Sequence, residues 1–426
     1  MKVLVVGSGG REHALCWKLR QSPEITELFC APGNPGIAGV ADTVPIGADE
    51  VQQLADFAAD LKIDLTVVGP ELPLVLGIAD EFAQRGLPIF GPRRAAAELE
   101  GSKVFAKEFM KKQGIPTADF IIAHDEDEVR QAVADRFGLP VVLKADGLAA
   151  GKGVIIPKNE AELDEALKIF FDDRRFGAAA ERLVVEECLE GEEVSFIALC
   201  DGERVLPMAT SKDYKRLEDS DKGPNTGGMG AHSPAGVLDG AAVKDVFENV
   251  VRPTIRGLAE DGRPYVGVLY AGLMLTADGP RVLEYNVRFG DPEAQPLLMR
   301  LEDDLLPVLV SGAAGRFECQ RLNFRKAAAA CIVLAAAGYP AKPVRGDVIS
   351  FDLEPNDNVQ VFHAGTSRNK QGEVVTAGGR VLNVCATGNQ LRDALKLAYQ
   401  TANKIQWQGR VMRYDIGRRV LEKASR

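Results

Sequence analysis

Lys2-Val-Leu-Val-Val-Gly7-Ser-Gly-Gly10-Arg-Glu12-His13 opens the chain with an apolar run, a glycine turn and the start of a helical pattern. Lys2 to Val6 has the continuous apolar character of a strand buried on both faces. Glu12 to Gln21 has helical spacing, with His13, Trp17 and Arg20 on one side and Ala14, Leu15 and Leu19 on another. The pattern recurs at Leu65 to Val68, which runs into Gly69-Pro70-Glu71-Leu72-Pro73, and at Pro88-Ile89-Phe90-Gly91-Pro92. Strand, turn and helix in series predict an open parallel α/β sheet. Ligands on such a sheet bind outside the carboxyl ends of the strands, where these three loops lie.

Gly7-Ser8-Gly9-Gly10 brings free backbone N–H groups to a helix start, which suits an anion or a polar ligand. The third glycine position of a dinucleotide fingerprint holds Glu12, whose carboxylate would repel a pyrophosphate. A second glycine loop, Lys144-Ala-Asp-Gly147-Leu-Ala-Ala-Gly151-Lys152-Gly153, lies between two predicted strands, with a lysine near each end. It is not a Walker loop, because Gly153 stands where a Ser or Thr should hold magnesium. A hairpin with cationic ends suits a lid over nucleotide phosphates. Lys144 directly follows Val141-Val142-Leu143, and a charge at the end of a buried strand needs a partner.

Arg281-Val-Leu-Glu284-Tyr-Asn286-Val-Arg288 reads as a strand after a turn, so Glu284, Asn286 and Arg288 share one face and Leu283, Tyr285 and Val287 the other. A carboxylate and an amide oxygen at that spacing suit magnesium, and Arg288 beyond them could stabilise charge in transit. Phe289-Gly290-Asp291-Pro292-Glu293-Ala294-Gln295 follows directly. Glu186-Glu187-Cys188-Leu189-Glu190-Gly191-Glu192-Glu193 could serve an adenine edge and ribose hydroxyls, or be a plain solvated acidic turn. Lys212 to Arg216 and Gly223 to Gly230 form one long loop region, whose cations and glycines favour a phosphate or carboxylate site. Elsewhere the spacing predicts helices over 98–113, 160–171, 241–260 and 389–405, and a hairpin over 266–287.

Taken together, Gly7 to His13, Gly33-Asn-Pro-Gly36, Gly69-Pro-Glu71, Lys144 to Gly153, Asp213-Tyr-Lys215, Pro224 to Gly230 and Arg288 to Gln295 resemble the ATP-grasp ligases, and within them the phosphoribosylamine–glycine ligase family. The likeness runs from the first residues to the last predicted helix, with no departure at an expected functional residue. It implies an α/β and α+β multidomain ATP-grasp fold. Residues 1–119 would be an N-terminal open parallel domain, 120–190 a small mobile lid, 191–325 the central unit and 326–426 a β-rich C-terminal domain. ATP would bind between lid and central unit, with Lys103, Lys144, Gly151, Lys152 and Gly153 at the phosphates, the Glu186–Leu189 backbone at adenine and Glu193 at ribose. Glu284 and Asn286 would hold Mg2+ or Mn2+. Phosphoribosylamine would lie across Gly9, Gly10 and Glu71, while Asp213, Lys215, Arg288 and Asp291 shape the glycine and transfer site. The implied reaction activates glycine as glycyl phosphate and yields glycinamide ribonucleotide for purine biosynthesis, without a protein nucleophile.

Composition sets the outer bounds. With 51 Lys and Arg against 61 Asp and Glu, the net charge of −10 gives no footprint for nonspecific nucleic-acid binding. The longest apolar run, Ala327 to Gly338, is too short to cross a membrane, and the N-terminal run is too short for a signal peptide. Seven scattered cysteines form no metal-binding spacing and suit reduced thiols. A cytoplasmic, monomeric enzyme acting on small molecules is the expectation. The rivals are an ATP-grasp ligase for another carboxylate, a nicotinamide oxidoreductase using the first glycine loop, and a catalytically silent ATP-binding protein.

Overall fold

The computed structural model describes residues 1–148, 153–172, 181–238 and 240–424. Its N-terminal sheet is parallel, with strands in the order Asp42–Thr43, Glu27–Pro32, Lys2–Gly7, Leu65–Val68, Ile89–Phe90. Lys2–Gly7 is central, and Val3 to Val6 are completely buried. Alternation explains why both faces are apolar. Val3 and Val5 pack with Ala14, Leu15 and Leu19 of helix Gly10–Leu19, whereas Leu4 and Val6 pack with Leu54, Ala58 and Phe82 on the other side. The first face is also covered by Leu297, Leu298, Leu305 and Leu309, from helices Ala294–Arg300 and Leu305–Ala313. That shared core holds the N-terminal sheet against the segment containing Arg288 and Asp291.

A small antiparallel sheet follows, in the order Phe120–Ala123, Leu183–Glu187, Val141–Ala145, Val154–Ile155. It has its own core of Val129, Leu143, Leu163, Phe170 and Val185. The central sheet runs Val205–Pro207, Glu192–Asp201, Val266–Thr276, Gly279–Asn286. A further sheet joins Lys212–Asp213 and Gly230–Ser233 to Ala328–Ala335, Arg380–Gly388 and Val359–His363. Its strand Ala328–Ala335 is buried throughout, because its small side chains admit helices Leu391–Ala402 and Ala294–Arg300. All seven cysteines are free.

Four details depart from the sequence pattern. The helix expected over 98–113 is two helices, Arg94–Gly101 and Lys103–Gln113, divided at Ser102. Ser102 has extended backbone, accepts the Phe105 N–H at 3.0 Å and donates to Asp146 Oδ1 at 2.8 Å. This N-cap starts the second helix at Lys103. Ser102→Ala is expected to destabilise the protein by about 1 kcal/mol in urea unfolding, and an unchanged midpoint would deny the cap its role. The region read as one long loop, Lys212 to Arg216 with Gly223 to Gly230, contains the strands Arg216–Glu218, Lys222–Asn225 and Gly230–Ser233. Helix Leu391–Ala402 is followed by another, Arg418–Ala424. Finally, register slips at Leu283, where Gly272 faces Glu284 but Leu273 faces Val282. The bulge gives Val282 the core position expected for Leu283.

Candidate active site

From the bulge onward the alternation holds. Tyr285 and Val287 enter the core, while Glu284, Asn286 and Arg288 face the cleft between the central sheet and the small antiparallel unit. Burial alone would raise the Glu284 carboxyl. Lys215, Lys144, Lys103 and Arg288 outweigh it and hold the group at about 2. Lys215 Nζ lies 3.5 Å from Glu284 and 3.7 Å from Glu193 at the rim. Asn286 Oδ1 accepts from Arg288 Nη2 at 2.8 Å, and its Nδ2 is buried without a hydrogen-bond partner among the described residues. An ionised carboxylate and an amide oxygen two residues apart are hard donors that leave most of an octahedral shell for phosphates and water. Magnesium fits this pair. Among the described residues, no group of three or more His, Cys, Asp or Glu could hold a metal, so a metal here would depend on its substrate for further ligands.

Three cationic and glycine positions stand across the cleft. Lys103 Nζ donates to Gly147 O at 2.8 Å, and burial lowers its pKa. Lys144 Nζ donates at 2.9 Å to the carbonyl of the bulged Leu283 and pairs with Glu186. Gly153 is buried, and its carbonyl accepts from Ala145 N–H at 2.9 Å. Gly151 and Lys152 lie outside the described residues. Leu189 lies in the connector between strands Leu183–Glu187 and Glu192–Asp201. The Glu186 side chain is buried between Lys107 and Lys144.

The carboxyl end of the N-terminal sheet closes the cleft. Arg288 is held by Glu71 through Nε at 3.1 Å, by Glu100 through Nη2 at 3.0 Å and by the Phe289 carbonyl at 3.3 Å. Burial raises Glu71, but Arg288 and Arg11 bring it below the usual carboxylate range. Gly9 approaches Asp291 so closely that a Cβ on it would stand 3.4 Å from Oδ2. A Cβ on Gly10 would stand 2.0 Å from Asn383 Nδ2. Asp291 accepts from Gln295 at 2.7 Å and from Arg380 at 3.1 Å. Asp213 is set apart from this group: its electrostatic neighbours are Lys215, Glu293, Glu193 and Glu284, and burial pushes it up to about 7.

Glu12 folds back into its own glycine loop. Its carboxylate accepts the Gly9 N–H and pairs with Arg11 at 2.6 Å, so it caps its own helix. That carboxylate takes the Gly9 N–H that a dinucleotide pyrophosphate would need, which argues against the oxidoreductase rival.

Several residues of the site escaped the sequence reading. Glu100 is pushed up to about 7 by burial, although Arg288 opposes the shift. Arg380 also donates to the Gly227 carbonyl and so joins the C-terminal strand to the glycine-rich loop. Glu293 accepts from Tyr270 at 2.8 Å and from Ser195 at 3.2 Å. Glu293 lay inside a quoted motif, and Arg380 follows the Gly378-Gly379 turn. Glu100 carries no local signal.

Comparison with known proteins finds similarity along almost the whole chain. The N domain of phosphoribosylglycinamide synthetase matches residues 1–100, its ATP-grasp (A) domain residues 101–294, and its C domain residues 329–419. The chain is 49% identical over 425 residues to the phosphoribosylamine–glycine ligase of Vibrio vulnificus (strain CMCP6), covering 99% of each. It is likewise 49% identical over 425 residues to that of Allochromatium vinosum, covering 99% of each. The crystal structure of phosphoribosylamine–glycine ligase from Thermotoga maritima superposes with a TM-score of 0.83 at 34% identity, covering 97% of this chain and 100% of the other. The biotin carboxylase domain of Hydrogenobacter thermophilus 2-oxoglutarate carboxylase, solved with MgADP and bicarbonate, shares the fold at TM-score 0.75 and 18% identity, with 96% and 91% coverage.

Proposed function

The chain belongs to the phosphoribosylglycinamide synthetase family, and on that premise we propose that the cleft between Lys144 and Glu284 is where it joins glycine to 5-phosphoribosylamine. The enzyme is an ATP-dependent carboxylate–amine ligase of purine biosynthesis, and it forms glycinamide ribonucleotide, ADP and phosphate. The observation that carries the site assignment is convergence. Lys103, Lys144 and the Glu284–Arg288 segment come from three distant parts of the chain and meet at one cleft.

A carboxylate is a poor electrophile because its charge is delocalised. Transfer of the γ-phosphoryl group to a glycine carboxylate oxygen releases ADP and makes an acyl phosphate. The amine nitrogen then attacks the acyl carbon, the carbon–oxygen bond to phosphate breaks, and the nitrogen loses a proton. Bound magnesium supplies Lewis-acid stabilisation of the phosphoryl oxygens, and Glu284 with Asn286 would hold it. Lys103, Lys144, Lys152 and the loop through Gly151 and Gly153 support the phosphates. The Glu186–Leu189 backbone takes adenine, and Glu193 takes ribose. Arg288, fixed by Glu71 and Glu100, offsets charge on the transferring group. Gly9, Gly10 and Glu71 receive phosphoribosylamine, while Lys215, Asp213 and Asp291 shape the glycine and transfer site. Asp213, raised to about 7 by burial, is suited to accept the amine proton near neutral pH.

The proposal extends to Mn2+ as an alternative metal, because it takes the same oxygen donors. It also covers a cytoplasmic monomer with small-molecule partners and no nucleic-acid partner. No helix among the described residues is long and apolar enough to cross a membrane. The division at 119, 190 and 325 is part of the same reading, with 120–190 acting as the lid that excludes water from the acyl phosphate.

ADP release should require ATP, magnesium, glycine and phosphoribosylamine together, with the amine generated in the assay and one glycinamide ribonucleotide formed per ADP. ATP turnover without glycine would remove the substrate assignment while leaving the ligase class. ATP binding without turnover would favour the catalytically silent rival.

A further inference from the structure

Glu186 places one anion between two cations. Its Oε1 pairs with Lys144 and its Oε2 with Lys107, and the three residues are only 2%, 6% and 2% exposed, in the order Glu186, Lys144, Lys107. One lysine would be enough to neutralise the carboxylate. A second buried ammonium carries a desolvation cost, seen in Lys107, which burial lowers to about 8. Lys107 faces inward, donating to Thr117 Oγ1 at 2.7 Å. Lys144 faces the cleft, with Lys103 and Glu284 among its electrostatic neighbours. It pairs with Glu186 and donates to Leu283 O.

We infer that Lys107 is a positioning residue for the nucleotide: by neutralising Glu186 from behind, it leaves the charge of Lys144 available to ATP phosphates. The inference rests on the proposed contact between Lys144 and those phosphates. Without Lys107, the Glu186–Lys144 pair is neutral and the cleft loses one unit of positive charge. The same network reaches the metal strand, because Thr117 Oγ1 donates to Val282 O at 2.7 Å beside the bulge.

The test compares steady-state kinetics of Lys107→Met, Lys144→Met and the double variant Lys107→Met/Glu186→Gln. Lys107→Met should raise KM for ATP about tenfold, with KM for glycine and kcat within about twofold. The double variant should bring KM for ATP back toward the wild-type value, because the Lys144 charge is again unpaired. Lys107→Arg keeps the charge and should stay within about threefold of wild type. If Lys107→Met does not fold, Lys107→Gln set against Lys107→Arg gives the same contrast. An unchanged KM for ATP in Lys107→Met beside a raised one in Lys144→Met overturns the inference alone. A double variant no better than the single one overturns it as well, by reducing Lys107 to a packing role. An unchanged KM for ATP in Lys144→Met overturns the nucleotide-site assignment and the inference with it.

Discussion

Glu284→Gln should lower kcat by about 10²–10³-fold while leaving the fold intact. Glutamine keeps the volume and one oxygen, so the strand Gly279–Asn286 and its bulge have no steric reason to move. What disappears is the negative charge. Four cations surround Glu284 and hold it ionised at about 2, well below any working pH. Its charge is therefore a fixed part of the cleft, and the cations left behind would repel a metal. Excess magnesium should restore part of the activity, because the Asn286 oxygen remains. Near-normal turnover in a folded Glu284→Gln enzyme, at magnesium concentrations that limit the wild type, would take Glu284 out of the metal site.

Glu12→Ala should be the most destabilising of the substitutions considered, by about 3–5 kcal/mol. Glu12 is 1% exposed and Arg11 is 7% exposed. Removing the carboxylate leaves the buried guanidinium with the Phe289 carbonyl, at 3.0 Å, as its remaining hydrogen-bond partner among the described residues, and it frees the Gly9 N–H. Glu12→Gln retains an acceptor for Gly9 and should cost about half as much. The neighbouring loop is built around this side chain, since a Cβ on Gly69 would stand 2.0 Å from Glu12 Oε1. Urea unfolding followed in the N-terminal unit measures the effect. A loss below about 1 kcal/mol would mean that Glu12 does not cap the helix, and it would reopen the loop as an anion site.

The N-terminal sheet was legible because its central strand is an uninterrupted apolar run flanked by glycine turns, a pattern few other folds produce. Glu284, Asn286 and Arg288 were legible for a different reason: strand alternation places them on one face whatever surrounds them. The same alternation failed at Leu283, because a bulge depends on the partner strand Val266–Thr276 and not on local residue type. Ser102 is a strong cap, but the apolar pattern around it continues in phase, and only its bond to Asp146 shows why the helix breaks. Glu12 was read as hostile to a pyrophosphate, yet its use as a cap needed the rotamer. Glu100 and Arg380 reach their partners across 188 and 89 residues of chain, separations at which spacing carries no information.

The most direct measurement follows oxygen from the substrate. Glycine carrying a heavy oxygen isotope in both carboxylate positions is turned over with ATP, magnesium and phosphoribosylamine, and the released phosphate is examined by mass spectrometry. Activation as glycyl phosphate makes one carboxylate oxygen the bridge to phosphorus, and attack of the amine at carbon leaves that oxygen with the phosphate. The account predicts one heavy oxygen in each phosphate released and one retained in the amide of the product. Unlabelled phosphate alongside labelled amide would show that the carboxylate was never phosphorylated, and would contradict the mechanism assigned to this cleft.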